Sequence, residues 1–178
     1  LEERLVREFN LKVRIGRPQV TYRETIRASV EAESTYDRFT AGRQHFASVR
    51  LRVFPRGRSE GFLFTSALPD ERIPAAMVAV IESACRDSTE GGIQFGYPVT
   101  DLGVELLDGA YNELTSTEVA YRIAAQTAFR DGCRRAQPLL LEPIMSLEIV
   151  APREFVGSVM NNLAARRGQV IGTEMRDQ

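Results

Sequence analysis

Two short stretches carry the side chains best suited to a positioned contact. The first, Thr40-Ala41-Gly42-Arg43-Gln44-His45-Phe46, offers a flexible glycine, a guanidinium, an amide, an imidazole and an aromatic ring in succession. These groups read RNA: arginine sits on phosphate oxygens, amides on base edges, and rings stack. The second, Ala110-Tyr111-Asn112-Glu113-Leu114, carries an aromatic, an amide and an acid. Each stretch also has a plain reading. Arg43 can be a solvated turn residue, Phe46 the first core residue of a strand, and the second stretch an ordinary connection.

Catalytic constellations are harder to find. There is no G-x-x-x-x-G-K-[ST] phosphate loop, and Lys12 is the only lysine. No G-x-S-x-G nucleophile turn occurs. His45 is the only histidine, and pairing it with Cys85 or Cys133 would require an apolar-face cysteine to turn outward. Two cysteines so far apart make no metal site that spacing can identify. The acidic pairs Asp70-Glu71 and Asp108 with Glu113 read first as solvated loop charge. No catalytic residue and no metal ligand is assigned.

The elements that hold the two stretches follow from periodicity. Gln19 to Glu33 reads as extended, Arg38 to Gln44 as a turn region, and Phe46 to Phe54 as a strand. In that strand Val49, Leu51 and Val53 alternate with Arg50 and Arg52, so the arginines mark a wet face or a contact face. Gly61 to Leu68 is a third strand. Pro74 opens a helix whose stripe is Met77, Val80, Ile81, Ala84 and Cys85, ending at Gly91-Gly92. Val99 to Leu107 is a strand. Asp108-Gly109 reads as a turn pair after it, and Thr115 with Glu118 as a capping box. A helix with apolar residues Val119, Ile123 and Ala124 runs on to about Arg135. Leu139 to Val150 reads as a strand broken at Glu142-Pro143, Pro152 opens another helix, and Gln169 to Met175 is a last strand. Before all of these, Leu1 to Phe9 is helical in spacing and Leu11 to Ile15 alternates as a strand. That opening has no neighbouring partner and reads as part of an excised fragment.

With 178 residues the chain can form one domain plus pieces of neighbours. A hydrophobic share of 43% is that of a globular core. A net charge of −1 gives no global field towards nucleic acid or membrane, so any charge argument is local. Arginine supplies nearly all the positive charge. Its even spread points first to base composition and second to phosphate recognition. Two unpaired thiols fit a reducing compartment. No apolar run approaches the ~20 residues of a membrane span, and a cytoplasmic location is expected.

Several motifs carry a family likeness. Gly16-Arg17-Pro18-Gln19-Val20-Thr21-Tyr22-Arg23-Glu24-Thr25-Ile26, Gly96-Tyr97-Pro98-Val99-Thr100-Asp101, Asp108-Gly109-Ala110-Tyr111, Leu141-Glu142-Pro143-Ile144-Met145 and Ala165-Arg166-Arg167-Gly168-Gln169-Val170-Ile171-Gly172 occur in order along the chain. Together they resemble elongation factor G, the ribosomal translocase among the translational GTPases. The resemblance implies an α+β fold in three pieces. Residues 1–15 would be the tail of domain III. Residues 16–141 would be domain IV, an elongated domain with a mainly antiparallel sheet, packed helices and a left-handed βαβ crossover. Residues 142–178 would begin a ferredoxin-like domain V.

The resemblance also implies a task. Domain IV would reach the decoding centre, and two tip loops would touch tRNA and mRNA on the ribosome. Those positions fall on Gly42, Arg43, Gln44 and His45, and on Tyr111, Asn112 and Glu113. The chain departs from the family where Asn112 replaces a common histidine and where Ala41, Gln44 and Ala47 replace common glycines. These departures suggest a paralogue acting in recycling or ribosomal protection as an alternative. A free-standing RNA-binding module or small hydrolase is a further one. GTP and Mg would belong to a GTPase domain outside this chain, which itself would need no cofactor and would act as a monomer.

Overall fold

The computed structural model describes residues 21–69 and 72–174. The helix expected at 1–9, the strand at 11–15, the domain tail at 1–15 and the pair Asp70-Glu71 lie outside the described residues. Two compact units divide between Pro143 and Ile144.

The first unit is built on a four-stranded sheet in the order β2 (Val30–Thr40), β3 (Arg43–Pro55), β5 (Leu102–Ala110) and β4 (Phe62–Ser66). β2, β3 and β5 run antiparallel to their neighbours, but β4 pairs parallel with β5. Parallel neighbours need a crossover, and helix α1 (Ala75–Glu90) supplies it between them. Helix α2 (Glu118–Arg135) follows β5 and packs on β2 and β3. A small second sheet joins β1 (Arg23–Ile26) to β6 (Pro138–Leu141). Of the stretch expected as one extended piece, Gln19 to Glu33, the described part is two strands in two sheets. The chain changes sheets where the N–H groups of Arg27 and Ala28 both donate to Ala136 O, at 3.0 and 3.1 Å.

Alternation along β3 places Ala47, Val49, Leu51 and Val53 in the core and Arg50 and Arg52 on the opposite face. α1 buries Ile81, Ala84 and Cys85 on the expected stripe. In α2 the buried face is Ala120, Tyr121, Ala124, Ala125, Ala128, Phe129, Gly132 and Cys133. Val119, expected on that face, is exposed. Small residues decide the rotation of α2. At Gly132 an added Cβ would lie 3.1 Å from Val53 Cγ2, so the helix backbone rests directly on the sheet.

Two expectations around β5 are corrected. Asp108-Gly109 is not a turn: β5 continues through both residues to Ala110. Leu107 is an extra residue in the ladder, because Arg50 pairs with Asp108 and Leu51 with Leu106. Gly109 serves close approach instead, since a Cβ there would meet Ile73 Cδ1 at 2.5 Å and Ser48 O at 2.7 Å. The helix cap is Thr117, whose side chain accepts from Ala120 N, and not Thr115. Thr115 is engaged with β3 instead, accepting from Phe46 N at 2.8 Å.

The second unit contains a 3-10 turn (Arg153–Phe155) and helix α3 (Val156–Ala165). Of the strand expected over Leu139 to Val150, residues 139–141 belong to β6, whereas residues 144–150 and the described part of 169–175 form no sheet among the described residues. A strand needs a hydrogen-bonding neighbour, which these segments lack there. Ile144 and Ile171 are correspondingly exposed.

Candidate functional site

The first candidate stretch closes the β2–β3 hairpin. The register runs from Val30–Val53 to Thr40–Arg43, leaving Ala41-Gly42 as a two-residue turn. Both have positive φ, +53° and +79°. This is the turn whose twist matches paired strands. β5 ends where Ala110 pairs with Ser48, so the hairpin extends about 16 Å past β5 at 3.3 Å per residue.

The second stretch folds against the side of that overhang. Phe46 forms a parallel bridge with Ser116 and donates to Thr115 O. His45 Nδ1 lies 3.0 Å from Thr117 Oγ1, and Tyr121 Oη donates to Ala110 O at 2.7 Å. The two candidate stretches, distant in sequence, meet at one end of the sheet.

Within the second loop Asn112 is the organiser. Its Oδ1 accepts from the backbone N–H groups of Leu114 and Thr115 at 2.9 and 3.3 Å, an Asx turn. Its own N–H donates to Ser116 Oγ at 3.0 Å. Gly42, Arg43, Gln44, Asn112 and Glu113 are exposed, and Tyr111 is 39% exposed.

His45 is half-buried and braces the hairpin against α2. Arg43 Nε donates to His45 Nε2 at 3.4 Å, and His45 Nδ1 shares a hydrogen bond with Thr117 Oγ1. Gln44 Nε2 donates to Asp37 Oδ1 at 2.8 Å. Sequence reasoning missed Phe39, which is 76% exposed beside the turn. It also missed Thr117, although the spacing to Ala120 is that of a cap to its third helical residue.

Two carboxylates hold loops elsewhere in this unit. Glu24 is fully buried, and its oxygens accept from the N–H groups of Ile93, Gln94, Phe95 and Tyr97 at 2.8 to 3.1 Å. Burial pushes its pKa up, but the four N–H bonds outweigh that and leave it lowered. Gly92, with φ +72°, comes close enough that a Cβ would lie 2.8 Å from Glu24 Oε1. Asp101 accepts from Ser59 N and Gly61 N. Its pKa is likewise lowered, burial being outweighed by those bonds.

On the wet face Glu31 sits between Arg50 and Arg52, at 2.5 and 2.9 Å. Hydrogen bonds from Arg52 and then Arg50 lower the pKa of Glu31. The expected arginine face is thus an ion-pair network. Cys85 and Cys133 are buried and free, and desolvation pushes the Cys133 thiol up to about 12. Thiols so suppressed are core residues.

Fold and site together define an α+β domain that presents a two-loop tip on a projecting hairpin. Comparison with known proteins gives its kinship. The pattern of elongation factor G, domain IV, matches residues 18–137, and that of the elongation factor G C-terminus matches residues 139–178. A crystal structure of a Thermus thermophilus protein superposes with a TM-score of 0.85 at 34% identity, over 98% of this chain and 26% of that one. The chain belongs to the elongation factor G family. It spans about a quarter of the length of the Thermus protein. Among the described residues no helix is long and apolar enough to cross a membrane.

Proposed function

We propose that this chain is the ribosome-reaching arm of an elongation factor G-like GTPase, and that its tip touches tRNA and mRNA at the decoding centre during translocation. The observation that carries the reading is the meeting of the two loops. His45–Thr117 and Phe46–Thr115 join the two loops, so that Arg43 on the hairpin and Tyr111, Asn112 and Glu113 on the loop beside it are exposed at one end of the sheet. Arg43 forms no ion pair among the described residues, so its guanidinium is available to a phosphate. A phosphate contact works at any codon because it reads no base. GTP and Mg belong, on this reading, to another part of the parent protein, and the arm is cytoplasmic and monomeric.

The mechanism is steric. The hairpin and the bonded loop enter the space next to a moved tRNA and oppose its return. Rigidity therefore matters more than affinity, and the short turn and the Asx loop supply it.

The test is Arg43→Ala in the full-length parent. Losing one phosphate contact should slow the ribosome-dependent step and reduce the salt slope of binding by about one. Unchanged rate and unchanged slope would remove the tip from the mechanism. Running the same variant in a translocation assay and in a subunit-splitting assay separates a translocase from a recycling paralogue.

A further inference from the structure

We propose that the outward face of α2 near its C-terminal end is a second RNA contact, where Arg130 and Arg134, with Arg27 beside them, bind a phosphodiester backbone. The inference rests on the reading of this chain as a ribosomal arm and gives the arm a second attachment, away from the tip.

Burial along α2 defines the face. The core side takes Ala124, Ala125, Ala128, Phe129, Gly132 and Cys133. Thr127, Arg130 and Arg134 fall on the opposite side and are exposed. Arg130 and Arg134 are four residues apart, so they stand one above the other, about 6 Å apart along the axis. Arg27 stands at the helix end, where its backbone N–H donates to Ala136 O at 3.0 Å, and it is exposed too. None of the three forms an ion pair among the described residues.

Cations in the last turn of a helix have an ordinary use, opposing the negative end of its dipole. Arg134 and Arg135 stand in that turn. Arg135 also donates to Glu31 O at 2.7 Å, a structural contact. Arg130 stands before the last turn and has neither use. The acid of β1, Glu24, is buried and occupied by backbone N–H groups. Asp131, at the flank of the stripe, is the one acid in the last two turns of α2. The outcome is a local excess of positive charge on a chain whose net charge is −1.

The lack of exposed apolar side chains selects the partner. Val119 is the one large exposed hydrophobic residue of α2, and it lies about 16 Å along the helix from Arg130. Protein interfaces gather around buried apolar and aromatic anchors. A phosphate backbone needs only positioned cations, and the guanidinium fork suits its oxygens. An acidic protein would meet the charges and find no anchor. The helix also fixes the spacing of the two contacts. Thr117, just before α2, lies 3.0 Å from His45 of the hairpin. Arg130 and Arg134 are about 20 and 25 Å further along. Two contacts on one helix set the direction of the arm as well as its position.

The experiment measures binding of the full-length parent to ribosomes programmed with mRNA and tRNA over a range of salt. Combining Arg27→Gln, Arg130→Gln and Arg134→Gln should lower the salt slope by about two to three. The advantage of the parent over this variant should therefore shrink about 20- to 40-fold for a fourfold rise in salt. Lysine at all three positions keeps the charge and should restore the slope. Asp131→Asn should tighten binding at low salt. Arg122→Gln is the control, because Arg122 on the same helix is already paired with Asp87 at 3.1 Å, and it should leave the slope unchanged. A photoreactive residue at position 127 should attach to RNA.

An unchanged slope in the triple glutamine variant would overturn the inference. So would a loss that the lysine variant does not restore, or attachment from position 127 to protein alone. If Arg43→Ala still lowers the slope in any such case, the tip reading stands and only this second contact fails. If neither Arg43→Ala nor the triple variant moves the slope, both fail.

Discussion

Asn112 offers the sharpest separation of loop structure from contact. Its Oδ1 accepts two backbone N–H groups, Leu114 and Thr115, and the residue is exposed. Alanine removes both bonds. In an exposed loop water replaces part of each, so the loss is at the low end for hydrogen bonds, about 1 kcal/mol in total. That corresponds to a fall in Tm of roughly 3–5 °C for a domain of this size. Asn112→Asp, by contrast, keeps the acceptor and the turn, so this variant should unfold within about 0.5 kcal/mol of the parent. It adds a negative charge where a phosphate is expected. Two such charges a few ångströms apart in water cost about 1 kcal/mol, or roughly five- to tenfold in affinity. Salt should erase most of that loss. Urea unfolding of the isolated chain and binding of the parent to programmed ribosomes at two salt concentrations measure the two effects. Full binding by the aspartate variant at low salt would refute the placement of this loop near RNA. Unchanged stability of the alanine variant would refute the Asx turn.

Other outcomes follow from the same geometry. Glu24→Gln turns an amide NH2 towards N–H donors and leaves about two of them unpaired, so stability should fall by about 2–4 kcal/mol in urea melts. Glu24 and Asp101 both have lowered pKa values. Their stabilisation is therefore full above the ordinary carboxylate pKa of about 4 and is lost as pH falls through the lower folded values. Acid unfolding of the parent chain should show that loss, and Glu24→Gln should flatten it. Ala41 holds φ at +53°, a conformation that costs an L-residue about 1–2 kcal/mol. Ala41→Gly should thus raise stability by up to about 1 kcal/mol after the extra freedom of glycine in the unfolded chain is counted, read as a higher Tm. His45→Ala should leave the sheet intact and speed hydrogen exchange at Thr115 and Ser116, which it braces through Thr117.

Local patterns were legible where burial follows periodicity. The stripe from Met77 to Cys85 and the outward arginines of β3 stand where alternation places them. Patterns decided by distant partners were not. Asp108-Gly109 has turn chemistry, yet pairing with β3 and the approach of Ile73 draw it into a strand. Glu24 lies on a short strand. Its burial is created by a loop some seventy residues away in sequence. At the tip the residue types were visible in sequence, but their division of labour was not. His45 braces and Asn112 organises its loop, while Phe39, unremarked by any motif, is the exposed ring. The segments expected as strands at 144–150 and 169–175 form no ladder among the described residues.

The central claim is that the two loops act as one surface against RNA. Because Cys85 and Cys133 are buried, cysteines placed at Thr40 and at Glu113 are the accessible thiols of this arm and can carry a tethered radical generator once any other exposed cysteine of the full-length parent has been replaced. On programmed ribosomes the two positions are predicted to cut overlapping nucleotides of tRNA, mRNA and the adjoining ribosomal RNA. Cuts in separate regions, or none in RNA from either position, would contradict it.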